Sequence, residues 1–343
     1  SSPPPLERPV APITQRNWEF VAGPTTGILL SGSALKGSGL DAAGRIAAHT
    51  GVRVYANRNA GRTESGRGRF QPVRIPYFPE PAEQALGGLE RLILVEAKPP
   101  VSFFGYPGRR STLAPPDCQM HVLAHPGEDG TAALQALADD LGAGTTAARV
   151  QLASSPPLPA GSEQLTPANV AQIVSALLPE HAIVADEAIS SGEALWSSLL
   201  QAAPHDHLPV TGGSIGQGMP VAVGAAVACP DRKVVCLEAD GSAMYTLQAL
   251  WTMARERLDV VTVIYNNRRY RILDVEMQRT GVQSFGAAAE RMIGIGSPEI
   301  DFVRLSEAMG VEASRASTVR ELADQFASAL RTSAPRLIEA IVP

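Results

Sequence analysis

The feature that most constrains this chain is a pair of apolar runs in its second half, each ending in small oxygen-bearing residues. Val234-Val235-Cys236-Leu237 leads into Glu-Ala-Asp-Gly-Ser at 238–242, and Val260 to Tyr265 leads into Asn266-Asn267. Between them, from about Thr246 to Arg257, the apolar spacing is helical. Short apolar runs alternating with helices make parallel strands joined by right-handed crossovers. Such strands bring their carboxyl ends to one sheet edge, where open α/β sheets bind ligands. Asp240 and Asn267 are 27 residues apart (267 minus 240), the length of one loop, one helix and one strand, so they are expected as neighbours.

The same alternation runs through the chain and sets the expected fold class: α/β, with two open, mainly parallel-sheet, Rossmann-like three-layer domains. Upstream, "TGILLSGSAL" reads as a strand and turn, Asp41 to Thr50 as a helix and Val52 to Tyr55 as a strand. "RLILVE" and "QMHVLA" read as buried strands, and Thr131 to Leu141 as a helix. A low-complexity stretch, Ala153 to Pro167, lacks a core-forming period. Thr166-Pro167 then supplies an N-cap hydroxyl and a first-turn proline for a helix to about Leu178, followed by the strand "AIVAD". "EAISSGEALWSSLL" is expected as a loop opening a helix. The expected organisation is a Pro-rich linker over 1–11, a central domain over 12–150, a second linker over 151–165, and a second domain over 166–343. With 343 residues, 45% of them hydrophobic, two cores are well supplied.

Net charge −5 gives no general field for phosphate backbones, so nucleic acid is not an expected partner. No apolar segment approaches the roughly 20 residues of a membrane span, and the first residues lack the basic and apolar parts of a signal peptide. The expectation is a soluble, cytoplasmic protein without a membrane partner. Cys118, Cys229 and Cys236 form no CxxC and suggest neither a disulfide framework nor a zinc site. The Arg/Gly-rich "NRNAGRTESGRGRF" at 57–70 is able to cradle a nucleotide diphosphate such as that of FAD, or to be a solvated loop; both readings stay open.

A carboxylate, an amide oxygen and nearby backbone carbonyls are hard ligands of the kind magnesium takes, its other positions going to waters or phosphates. Gly241 lets the backbone approach an anion, and Ser242 supplies a hydroxyl at a helix entry. Asp-Gly and Asn-Asn are also ordinary turn dipeptides.

The span nevertheless resembles the signature of thiamine-diphosphate enzymes, GDG followed after a helix and strand by NN, with the spacing of the acetolactate synthase and pyruvate decarboxylase group. Here Ala239 replaces the first glycine. The resemblance implies a magnesium site of Asp240, Asn267 and the Arg269 backbone carbonyl. "GGSIGQGMP", 212–220, resembles the segment that receives the cofactor's aminopyrimidine: the Gly213 carbonyl would accept from its amino group, and Ile215 would prop the cofactor into its bent, reactive shape. "DEAISSGEALW" resembles a second diphosphate loop, with Ser190 as phosphate donor. The segment "NNRRYRILDVEMQ" carries family positions facing the substrate, Leu273 and Glu276, and Glu276 stands where acetolactate synthases carry Trp. A buried Glu276 would exchange protons with substrate.

The implied activity is decarboxylation and/or carboligation of a 2-oxo acid or related small molecule, with thiamine diphosphate and Mg2+. FAD in the central domain is compatible but not established. In this family a further, N-terminal domain supplies a glutamate to the pyrimidine, and the active site is shared between subunits of a homodimer or homotetramer. No segment here matches that domain, so the chain alone is expected to be inactive. Glu187, Glu193 and Glu238 are expected in or near strand-end loops on the diphosphate side, unable to replace that glutamate. The alternative from another class is a non-catalytic FAD- or NAD-binding module, against which stands the absence of a GxGxxG at a first βα turn.

Overall fold

The computed structural model describes Pro9, Val21 and residues 23–148, 150 and 154–343. The linker expected over 1–11 and the start of the central domain lie largely outside the described residues, as do 151–153 of the second linker. The chain forms two compact units, one of residues up to 64 and 68–152, the other of 65–67 and 153–343.

From Thr26 to Asp140 the chain runs β1 (Thr26–Leu30), α1 (Gly37–Thr50), β2 (Arg53–Ala56), β3 (Thr63–Ser65), β4 (Val73–Arg74), α2 (Pro79–Leu86), β5 (Arg91–Val95), β6 (Gln119–Ala124) and α3 (Gly130–Asp140), and all of these but β3 lie wholly in the first unit. In that unit, β3 takes no place in the sheet. That sheet has the order β4-β2-β1-β5-β6, and each pairing in it is parallel. β1, buried at every position, lies in the middle. Helices α1 and α3 close one core, around Ile28, Leu30, Ile93 and Val95; α2 closes another, around Leu29, Tyr55, Leu92 and Leu94. Alternate strand residues feed opposite faces, as the period of two requires. "QMHVLA" forms the strand expected of it but is an edge strand, with only Leu123 and Ala124 buried. Its apolar letters gave no means of telling edge from centre, because that depends on which strand comes to lie beside it.

The second unit continues with α4 (Pro167–Leu177), β7 (Ile183–Glu187), α5 (Leu195–Leu199), β8 (His205–Pro209), α6 (Gly218–Ala228), β9 (Val234–Ala239), the one-turn α7 (Asp240–Ala243) and α8 (Ala249–Arg255). β10 (Val260–Asn266), α9 (Arg271–Arg279), α10 (Ala287–Ile293), α11 (Phe302–Ala308), β11 (Glu312–Ala316), α12 (Val319–Leu330) and β12 (Arg336–Ile341) follow. Across residues 183–341 the strand order is β11-β12-β10-β9-β7-β8, and the pairings are parallel. Thr166 caps α4 through a capping box with Asn169, two backbone donors being satisfied reciprocally. α4, α5 and α12 bury Val184, Val235, Leu237, Val263 and Tyr265 on one face; α6, α8 and α11 bury Ala185, Cys236 and Ile264 on the other. Both units are thus mainly parallel α/β layers, the expected class. Strand β8 has a polar sequence, His205-Asp206-His207, yet all three are buried: Asp206 pairs with Arg232 at 2.6 Å and His207 with Asp186 at 3.0 Å.

Candidate functional site

Strands β7, β9 and β10 end side by side at one edge of the second sheet, with Glu187 in register with Glu238 and Ala239 with Tyr265. Beyond β9, Asp240 opens α7 and is 2% exposed. Its Oδ1 accepts the Gly241 N–H at 2.7 Å, and its Oδ2 accepts the Arg268 N–H at 2.5 Å. The structure thereby brings Asp240 against the segment that follows β10. Burial pushes the Asp240 carboxyl up to about 6, opposed by the N–H groups of Gly241, Arg268, Arg269 and Asn267. Ala239, where the family motif has glycine, sits at φ −81°, ψ 146°, an extended conformation open to any residue.

The two asparagines divide their tasks. Asn266 is buried; it donates through Nδ2 to Glu339 at 2.6 Å and accepts the Arg268 N–H at 3.1 Å, which ties the end of β10 to β12. Asn267 is half-buried, and its Oδ1 accepts the Arg269 N–H at 3.0 Å, closing a one-residue turn. Arg268 is left-handed, φ +59°, a conformation that costs about 1 kcal/mol or more outside glycine. In it the Arg268 N–H is shared by Asp240 and Asn266, so the two strand ends and the turn are one hydrogen-bonded unit. The Arg269 side chain forks onto Asp274 at 2.5 and 2.7 Å and reaches Glu290 at 2.8 Å. Its carbonyl accepts the Arg271 N–H at 2.9 Å.

Gly241 is crowded in a way the sequence did not show. A side chain there would overlap the ring of Tyr270, whose hydroxyl donates to the Gly241 carbonyl at 3.4 Å. Ser242 is buried and hydrogen-bonds Glu187. Ser190 lies half-buried in the turn Ile189–Gly192 at the carboxyl end of β7, a turn that packs against α9. Leu273, 44% exposed, and Glu276, half-buried, ride on α9, which buries none of its residues.

The glycine-rich loop that precedes α6 is exposed over 211–215, with Gly212 and Gly213 at φ +63° and +67°. The Gly213 carbonyl accepts the Ile215 N–H at 3.0 Å, and Ile215 itself is 36% exposed. Its foot is fixed by Glu187, an anchoring role that sequence reasoning did not assign to it. Glu187 is fully buried and accepts the N–H groups of Gly216 and Gly218, one on each carboxylate oxygen. Thr246 donates to the Gly216 carbonyl at 2.9 Å, and Gln217 accepts from the Thr211 backbone at 3.3 Å and hydroxyl at 3.0 Å. Burial raises the Glu187 carboxyl, while the N–H groups of Gly216, Gly218 and Gln217 and the Ser242 hydroxyl pull it down. Glu238, its register partner, is held well above the usual carboxylate range by burial and by the charges of Glu187 and Asp186. Gly218 is obligatory beside them, because any side chain would overlap the Glu238 carboxylate. Glu187 and Glu238 therefore lie at the carboxyl ends of β7 and β9, near the strand-end loops as expected, and turn under the α6 N-terminus. The Asp-Glu after "AIVA" carried the signal, an acidic pair ending a buried strand.

Residues 194–340 match the family model for the thiamine pyrophosphate enzyme C-terminal TPP binding domain. IlvX of Mycobacterium tuberculosis, which carries the name of an acetolactate synthase large subunit, is 49% identical over 318 residues, 92% of this chain and 61% of that one. Residues 194–340 thus carry the C-terminal TPP binding domain of thiamine pyrophosphate enzymes. The chain spans about three fifths of the length of that relative. Benzoylformate decarboxylase of Pseudomonas aeruginosa is 35% identical over 175 residues, 51% of this chain and 32% of that one. Among solved structures, the thiamine diphosphate-dependent 4-hydroxybenzoylformate decarboxylase of Rhodococcus jostii RHA1 superposes with a TM-score of 0.77, covering 96% of this chain and 64% of that one. At 23% identity it speaks to the fold. The cofactor named by the matched domain favours the thiamine-diphosphate reading over an FAD- or NAD-binding module. No helix among the described residues is long and apolar enough to cross a membrane.

Proposed function

We propose that this chain carries the diphosphate and metal side of a thiamine-diphosphate active site and serves decarboxylation and/or carboligation of a 2-oxo acid or related small molecule. The observation that carries the reading is the gathering of the Asn267–Arg269 turn onto the buried Asp240 carboxylate, at the strand ends of the unit that matches the cofactor-binding domain.

The residues fit a hydrated magnesium ion carrying a diphosphate. Asp240 is a buried carboxylate whose oxygens accept the backbone N–H groups of Gly241 and Arg268, so a cation would restore its charged form. Among the described residues no three acidic, His or Cys side chains gather as a metal site; the donors here are Asp240, the Asn267 amide oxygen and the Arg269 carbonyl, each with a lone pair to spare. Ser190 and Gly241 would face the diphosphate, with Tyr270 setting how closely it approaches Gly241, while the Ser242 hydroxyl is engaged by Glu187. Thiamine diphosphate, when bound, supplies the carbon nucleophile that adds to the substrate's keto carbon.

Glu187 fixes the loop's foot through Gly216 and Gly218, so that Gly213 presents its carbonyl to the pyrimidine amino group and Ile215 presents its exposed side chain as the prop. Orientation of that kind contributes rate by removing rotational freedom before the chemical step. Leu273 and Glu276 would face the substrate from α9, Leu273 as an apolar wall. The full active site would be completed by another subunit of a homo-oligomer. The test is turnover of 2-oxo acids, benzoylformate and pyruvate among them, by the full-length gene product. Activity that needs both thiamine diphosphate and Mg2+ is expected; turnover indifferent to both removes the proposal.

A further inference from the structure

The first unit has its own ligand crevice. Its strand order β4-β2-β1-β5-β6 reverses direction between β1 and β5, and the space outside the carboxyl ends of those two strands is where sheets of this kind take nucleotides. The phosphate position in such a crevice is made by backbone N–H groups at a helix N-terminus and a glycine turn.

Here both parts are present and both are taken. Glu96 follows β5 directly, is 7% exposed, and holds a left-handed backbone, φ +52°. Its Oε1 accepts the Ser33 N–H at 3.0 Å, the Ser33 hydroxyl, and the Gly130 N–H at 3.1 Å. Ser33 lies in the turn after β1, and Gly130 is the first residue of the eleven-residue helix α3. The two glycines at this spot admit no side chain: at Gly32, φ +56°, one would overlap Glu96 Oε2, and at Gly130 its Cβ would lie 2.6 Å from Oε1. The second helix N-terminus facing this edge is treated alike. α1 has no side-chain cap of its own; the Gly37 N–H donates to Glu64 Oε2 at 3.1 Å, and that carboxylate also holds Arg69 at 2.5 Å and Arg62 at 3.7 Å. Two arginines of the loop expected to cradle a diphosphate, Arg62 and Arg69, are thus paired with the chain's own acid.

We infer that Glu96 is a built-in anion that fills the phosphate position of the first unit's crevice and closes that unit to nucleotides, including the ADP portion of FAD. A carboxylate on three donors is the chemical equivalent of one phosphate oxygen edge, and it is tethered, so an external phosphate must displace it against a high effective concentration. A second anion cannot share the donors, because two negative charges at contact distance in a buried site repel strongly.

The test reads the crevice directly. The full chain, deuterated and 15N-labelled, is titrated with ADP, and the Ser33 and Gly130 amide resonances are followed in the wild type, Glu96→Gln and Glu96→Gly. Glycine suits the left-handed backbone and empties the position; glutamine keeps the shape, removes the charge, and carries the test if the glycine variant fails to fold. No ADP-dependent movement of these amides is expected in the wild type, with saturable movement in the variants at an affinity at least tenfold above it. Saturable ADP binding at these amides in the wild type overturns the inference, and so does the lack of any gain on removing the Glu96 charge.

Discussion

Both units end their central strands in acidic side chains, and the two put them to opposite uses. In the first unit Glu96 turns up into the strand-end crevice and consumes the donors of the β1 turn and α3. In the second, Glu187 turns inward under α6 and consumes the donors at the foot of the loop, while Asp240 is held by the backbone N–H groups of Gly241 and Arg268 at the strand edge. One architecture thus gives a closed crevice and an open edge, and the difference lies in where a carboxylate is aimed. All three acids accept backbone N–H groups; Asp240 differs in being gathered with the Asn267–Arg269 turn, whose oxygens would be further ligands for a cation.

The largest effect that would sharpen this contrast is expected at Asp240. In the full-length protein, Asp240→Ala should weaken magnesium-dependent thiamine diphosphate binding more than about a hundredfold, near 3 kcal/mol, because the metal loses its one carboxylate. Calorimetric titration measures it, and unchanged affinity would break the assignment. Next comes Glu187→Ala, which strands the Gly216 and Gly218 N–H groups in a buried place. Urea unfolding should show a loss of about 2–6 kcal/mol, at roughly 1–3 for each of the two unpaired donors, with turnover falling further than cofactor affinity. Stability within experimental error of wild type would show that the loop needs no such anchor.

A third effect is one of pH. With the Asp240 carboxyl pushed up to about 6 by burial, a proton competes with the metal, so magnesium-dependent affinity should fall about tenfold per unit below pH 6. Without metal the sign reverses. A raised carboxyl means the native state binds more protons than the unfolded chain between pH 3.8 and about 6, so stability contributed by this group is lost as pH rises through that window. Affinity that is flat from pH 7 to 5 would break the argument. The smallest effect is expected at Ile215, whose side chain is 36% exposed. Ile215→Ala should change stability by no more than about 0.5 kcal/mol while lowering turnover more than cofactor binding. Equal loss in both would mean that it contacts the cofactor without shaping it.

Much of this was legible because it is local. Short apolar runs and helical spacing located β1, β9, β10 and α4, and Thr166 with Pro167 marked a helix start, to which the structure adds a capping box with Asn169. The closeness of Asp240 to the Asn267 turn follows from one crossover, which has one hand. Strand β8 was not legible: His205, Asp206 and His207 look like a loop until Arg232 and Asp186, distant in sequence, supply their partners.

The amino-acid sequence by itself determined the α/β class, the strand ends at which polar residues would meet, and the motif that marks the cofactor family, since each depends on spacing within one or two elements. Only the tertiary structure decided what the acids do. Glu187 lies 29 residues from Gly216 and Glu96 lies 63 from Ser33, and no local pattern records that a carboxylate will find its N–H donors across such a distance. Burial then makes each pairing strong, because a carboxylate removed from water must be satisfied by whatever donors the packed elements bring to it.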